Sequence, residues 1–244
     1  MTAALQFLTR LPVPFARPRE DLGLAWFPAV GLLLGAILAA ADLGLRSLPT
    51  RPPPLLESSL LVVLLLFLTG GLHADGLMDN CDAVFAHATP ERRLEIMRDP
   101  RVGSFGVIGF AAVLLLKVAA VDALPAAVRS QSLLLAPVLG RWAIVLLAAA
   151  FPYGRARGLG APVKAAATLR LAALASILPI VACVAVGPGG AWLLVVAGAS
   201  AWLLGWSLAR VLPGLTGDCY GAGCEVVEAV VLLTAGLGLA GPGP

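Results

Sequence analysis

The run Leu60-Leu-Val-Val-Leu-Leu-Leu-Phe-Leu-Thr-Gly-Gly-Leu72 passes directly into His73-Ala-Asp75-Gly-Leu-Met-Asp79-Asn80-Cys-Asp82. A strongly apolar segment thus delivers three carboxylates at its end. If the chain from Asp75 onward is helical, positions i, i+4 and i+7 fall within an arc of roughly 60°, so all three acids project from one face. Like charges that close repel unless a cation sits between them. Oxygen ligands suit a hard ion such as Mg²⁺, which takes one or two carboxylates, keeps waters and shares the remaining positions with substrate phosphates. The competing reading is an acidic helix start at a membrane surface, where carboxylates favour the N-terminal dipole.

The rest of the chain extends the apolar theme. Of its 244 residues 59% are hydrophobic and 13% charged, and the mean hydropathy is +0.94, too little polar surface to cover a soluble globule. The expected fold is all-α: a polytopic helical integral membrane protein, one domain over 1–244. Seven stretches have about the length needed to cross hydrocarbon: Leu24–Leu45, Leu55–Leu72, Gly103–Val121, Ser130–Phe151, Leu169–Val186, Ala191–Val211 and Glu225–Gly241. The first resembles a signal peptide, but six further spans argue against one. Leu5–Phe15, broken by Pro12 and Pro14, is too short to span and is expected at the interface. Lys and Arg outside the spans number ten on one side and three on the other. That asymmetry puts the N-terminus and the loops 73–102, 152–168 and 212–224 in the cytoplasm. It also explains the net charge of +3 without nucleic acid. The four cysteines show neither metal-ligand pairing nor the density of a disulfide framework.

Other polar groups stand out. Thr89-Pro90-Glu91 reads as a capped helix start, followed by Arg92, Arg93 and Arg98 and then Asp99-Pro-Arg101-Val-Gly103-Ser-Phe-Gly106. Arg92 and Arg93 read as solvated charges. Asp99 and Arg101, beside glycines that let backbone approach a ligand, are candidate substrate contacts. Lys117 and Arg141 fall inside spans, where an unpaired charge costs a few kcal/mol. Lys117 is expected to snorkel to the outer interface; Arg141, near mid-span, needs a carboxylate or a substrate phosphate. Asp218, in a glycine-rich loop, with Glu225 and Glu228 just beyond it, forms a possible second arm of a site. His87 reads as a surface residue, and His73 as a candidate for substrate contact or proton transfer.

An acidic cluster facing the cytoplasm, with arginines and glycine-rich loops near it, suits displacement at a phosphoryl centre by a hydroxyl. The spacing Asp-Gly-x₂-Asp-x₂-Asp is reminiscent of the CDP-alcohol phosphotransferases, though that family has Ala-Arg after Asp-Gly-x₂ and a longer gap to its later aspartates. The chain more closely resembles the cobalamin synthase (adenosylcobinamide-GDP ribazoletransferase) family. The resemblance is carried by Phe7-Leu-Thr-Arg-Leu-Pro-Val-Pro14, Phe27-Pro-Ala-Val-Gly31, Gly70-Gly-Leu-His73 through Asp82, Ile96-Met-Arg98-Asp99-Pro-Arg101-Val-Gly103-Ser-Phe-Gly106, Gly140-Arg141-Trp-Ala143 and Leu215-Thr-Gly-Asp218-Cys-Tyr-Gly-Ala222. Ala83 and Ala222-Gly-Cys224 depart from the family pattern.

The resemblance implies union of adenosylcobinamide-GDP with α-ribazole, or its 5′-phosphate, to give adenosylcobalamin or its phosphate and GMP, with Mg²⁺ as cofactor. On that basis Asp75, Asp79 and Asp82 are expected to hold the metal. Arg101 and Arg141 would stabilise phosphate charge, and His73 or an aspartate such as Asp82 would take the hydroxyl proton. Asn80, Arg98, Asp99, Gly103, Asp218 and Glu225 are expected substrate contacts. The expected setting is a bacterial inner membrane with its lipid, as a homo-oligomer or beside other corrinoid-assembly enzymes. A lipid-headgroup phosphotransferase and a transporter are the rival functions.

Overall fold

A computed structural model describes residues 1–13, 22–155, 158 and 160–239. Eleven α-helices and no strands occur among the described residues: α1 (Thr2–Leu8), α2 (Phe27–Arg46), α3 (Pro54–Thr69), α4 (Leu72–Phe85), α5 (Pro90–Ile96), α6 (Ser104–Asp122), α7 (Ala126–Ala150), α8 (Gly160–Ala166), α9 (Leu169–Val186), α10 (Pro188–Val211) and α11 (Gly217–Gly236). A short 3₁₀ turn, Leu24–Trp26, leads into α2. Six of these segments are long and apolar enough to cross a membrane: Leu24–Arg46, α6, α7, α9, α10 and α11. The protein is a multi-pass helical membrane protein.

The seventh expected span differs from the other six. The apolar run stops at Thr69, where Gly70 and Gly71 adopt φ of 62° and 72°, a backbone that other residues enter only with strain. The chain turns there by 93°, and α4 leaves in a new direction. The expected interfacial segment Leu5–Phe15 begins within α1, and its last residues lie outside the described ones. The expected loop 212–224 is largely helix. Thr216 accepts a hydrogen bond from the Cys219 amide, and this cap starts α11 at Gly217, eight residues ahead of the expected Glu225.

Buried α7 is the axis of the bundle, packed on α2, α9, α10 and α11. Small residues bring α2 onto it. A Cβ on Gly31 or Gly35 would collide with the carbonyls of Pro137 and Leu134, so the two backbones touch as in small-residue membrane packings. At one end, α2, α3, α6 and α7 meet in an ionic clasp. Arg129 Nε donates to Asp42 at 2.7 Å and its Nη2 to Glu57 at 3.1 Å, while Arg46 and Arg51 close on Glu57 from the rim. The opposite end gathers α4, α5, α8, the starts of α6 and α11, and the loop after α7.

Candidate functional site

At that second end, glycines bring α4 against α11. A Cβ on Gly76 would lie 2.8 Å from the Asp218 carbonyl oxygen, and one on Gly221 would lie 3.3 Å from the His73 backbone. Asp218, in the first turn of α11, is therefore set beside Asp75 and Asp79, one α4 turn apart. Arg155 completes the group, its Nη1 2.8 Å from Asp218 Oδ2. Its loop is tied to the one before α11 by two backbone hydrogen bonds, from the Gly154 amide to Leu215 and from the Leu215 amide to Pro152, each 2.8 Å.

These elements enclose a cavity of about 170 Å³ lined by His73, Asp75, Arg155, Asp218 and Tyr220, among others. Buried donors face no partner around it: Nε and Nη2 of Arg155, the Tyr220 hydroxyl and Nε2 of His73. Such unmatched groups each cost of order 1–3 kcal/mol, a cost that a ligand carrying acceptor oxygens removes. Half-buried Asp79 is surrounded by the charges of Asp218, Asp75 and Asp82, with Arg155 opposing them. Burial pushes the nearby Tyr153 phenol above its ordinary pKa, Arg155 working against the shift.

One of the expected trio of aspartates has partners on another helix. Asp82 turns to α6, where its two oxygens accept from the amides of Gly103 at 2.7 Å and Gly106 at 2.8 Å, a carboxylate satisfying orphan donors at a helix N-terminus. Among the described residues no three Asp, Glu, His or Cys side chains converge as a metal cage. Mg²⁺ needs no such cage, since one or two carboxylates with water and phosphate oxygens suffice. Asp75, Asp79 and Asp218 lie near one another, with Arg155 paired to Asp218.

The remaining expected residues separate into two places. Asp82, Asp99, Arg101 and Gly103 border a second cavity of about 260 Å³ with Arg92. Exposed Arg101 grips Asp99 at 3.0 and 2.9 Å and holds its carboxyl down to about 2. Arg98 is exposed. Buried Asn80 donates to the Gly76 carbonyl at 2.7 Å and leaves its own oxygen without a partner.

Glu225 and Arg141 lie deeper, in a buried ionic group within the bundle. Lys117 Nζ is 2.6 Å from both Glu225 and Glu228. Arg141 pairs with Glu228 and approaches His73 Nδ1 at 3.5 Å. This overturns the expectation that Lys117 snorkels outward: two carboxylates, at i and i+3 on one side of α11, offer a closer counter-charge than the interface. Arg141 has a carboxylate as its partner.

Arg155 and Tyr153 are the residues that sequence reasoning passed over, the arginine having been counted only as a topological charge. The one local signal was Pro152-Tyr-Gly-Arg155, a glycine beside an arginine in a loop.

Comparison with known proteins shows the family. The family model described as cobalamin-5-phosphate synthase matches residues 1–236. The adenosylcobinamide-GDP ribazoletransferase of Desulforamulus reducens is 39% identical, over 96% of this chain and 95% of its own. That of Synechococcus elongatus is 42% identical, over 98% and 96%, and that of Stutzerimonas stutzeri 41%, over 94% of each. No solved structure matches. With the match running from the first helix to the end of the last, the chain belongs to the cobalamin-5-phosphate synthase family.

Proposed function

We propose that this protein is a Mg²⁺-dependent adenosylcobinamide-GDP ribazoletransferase whose site opens to the cytoplasm of a bacterial cell. It joins adenosylcobinamide-GDP to α-ribazole or its 5′-phosphate and releases GMP. The supporting observation is the pairing of Arg155 and Asp218 at a cavity that also takes in Asp75, with unmatched buried donors among its lining residues. Acceptor-rich pyrophosphate fits those donors, and a guanidinium is suited to phosphate oxygens. At about 170 Å³ the cavity is smaller than the about 300–1,000 Å³ that envelops a drug-sized ligand. A cavity of that size takes the pyrophosphate and the attacking hydroxyl and leaves the corrin ring and guanosine outside.

Asp75, Asp79 and Asp218 would hold the metal, which when bound neutralises phosphate charge. The ribazole hydroxyl attacks the phosphorus bonded to the aminopropanol arm. A P–O bond forms to the ribazole, the P–O bond to the GMP oxygen breaks, and a carboxylate of α4 accepts the hydroxyl proton. Arg155 binds the pyrophosphate oxygens through its two free nitrogens. The excess of Lys and Arg in alternate loops supports the cytoplasmic orientation.

The test is GMP release by detergent-purified protein given adenosylcobinamide-GDP and α-ribazole, with Mg²⁺ and with EDTA. GMP matched by new cobalamin, lost on chelation, is expected. Folded protein giving no product would reject the activity, and equal turnover in EDTA would reject the metal.

A further inference from the structure

The site contains a histidine whose role is decided by what stands behind it. His73 is 2% exposed and is fixed in the first turn of α4 by the close approach of Gly221. Its Nδ1 faces Arg141 Nη2 at 3.5 Å. A guanidinium has five N–H groups and no acceptor, so the ring nitrogen turned toward it must present a lone pair. Arg141 cannot turn away, because Glu228 holds its other nitrogen and is itself held by Lys117 at 2.6 Å.

In a neutral imidazole with its lone pair at Nδ1, the hydrogen resides on Nε2. That atom is buried without a partner, and His73 lines the cavity. Resting on the activity proposed above, we propose that His73 serves the reaction as a fixed Nε2–H donor to a phosphoryl oxygen and not as its base, with Arg141 and Glu228 as the positioning residues that set the tautomer. Adding a second proton would place an N–H against the guanidinium, and the carboxylate that acts on the ring, Glu228, is already engaged by Arg141 and Lys117. Nε2 therefore has no lone pair for the attacking hydroxyl, and the proton goes to a carboxylate of α4. His73 lends a hydrogen bond as negative charge shifts onto the phosphate oxygens, and its own proton is not transferred.

The experiment is ¹⁵N NMR of histidine-labelled protein in detergent without substrate. The chain has two histidines, and His87→Ala removes the signal of the exposed one. A pyridine-type Nδ1 and a pyrrole-type Nε2 are expected at neutral pH. The opposite tautomer, or a doubly protonated ring, overturns the proposal. The readout needs no turnover, so loss of the activity reading and loss of this one are told apart.

Kinetics supply the second arm. In His73→Gln an amide N–H₂ occupies roughly the place of Nε2 and cannot act as a base. It is expected to keep kcat within about tenfold, whereas removing a general base costs about 10²–10⁴-fold. Activity of His73→Gln no higher than that of His73→Ala would overturn the donor role. In Arg141→Lys the ring nitrogens are expected to shift toward a mixture of tautomers, and an unchanged spectrum would reject the positioning role of Arg141.

Discussion

Gly76→Ala tests whether the site depends on how closely α4 and α11 approach. The added Cβ would sit 2.8 Å from the Asp218 oxygen and 3.0 Å from its Cα, where ordinary contact begins at 3.4 Å. Both obstacles are backbone, so no rotamer change relieves them, and the helices must part by roughly 0.6 Å. Overpacking of this kind costs about 1–3 kcal/mol, while replacing glycine within a helix returns about 1 kcal/mol. The net loss of stability is then about 0–2 kcal/mol. The functional loss is larger, since Asp218 moves relative to Asp75 and Asp79 and a displacement near 1 Å costs about 10²-fold in rate. GMP release should fall by about 10–100-fold while thermal unfolding in detergent shifts little. Gly44→Ala, whose Cβ meets nothing within 4 Å, is the matched control and should leave activity unchanged. If Gly76→Ala keeps activity within about twofold of the parent, the helix contact does not set the site and the reasoning fails.

Asp79→Asn removes charge but almost no volume and is expected to abolish turnover in a protein that still folds and enters membranes. Full activity would remove Asp79 from the site. For Arg155→Ala, loss of the guanidinium should lower kcat/KM for adenosylcobinamide-GDP by about 10²–10³-fold, the range for removing one preorganised donor; Arg155→Lys should restore only part, lacking the planar fork. Lys117→Met leaves Glu225 and Glu228 to share one guanidinium. Breaking a buried pair costs about 3–5 kcal/mol, so a strongly lowered unfolding temperature in detergent is expected, relieved in part by adding Glu225→Gln.

How much of this was legible in the chain depends on the range of the interaction. Hydropathy alone finds helices as long as α6 and α9, because membrane burial is a local property of composition. It misplaces the start of α11, since the first turns of that helix carry Asp218, Tyr220 and three glycines and look like loop. Periodicity correctly puts Asp75, Asp79 and Asp82 on one face of α4. It cannot say that this face meets α11 at one end and the start of α6 at the other, which is why Asp82 ends up capping α6. Lys117 finds its partners 108 and 111 residues away, and Arg155 reaches Asp218 only because two loops pair through backbone. Neither meeting has a local pattern. Arg155 is for that reason the residue least visible beforehand.

The two arginines of α7 have a consequence for how the chain is assembled. Arg129 and Arg141 are separated by about 18 Å of helix, and each is buried in the finished bundle. The counter-charges of Arg129, Asp42 and Glu57, are translated before it. That of Arg141, Glu228, belongs to α11 and is translated 87 residues later. During synthesis, α7 therefore waits in the bilayer with one cation matched and the other bare, a state costing a few kcal/mol. A nascent chain stopped before α11 should leave the Arg141 half of α7 accessible to a water-soluble thiol reagent at an introduced cysteine, and release through Gly236 should close it. Arrival of Glu228 then matches the second buried cation of α7.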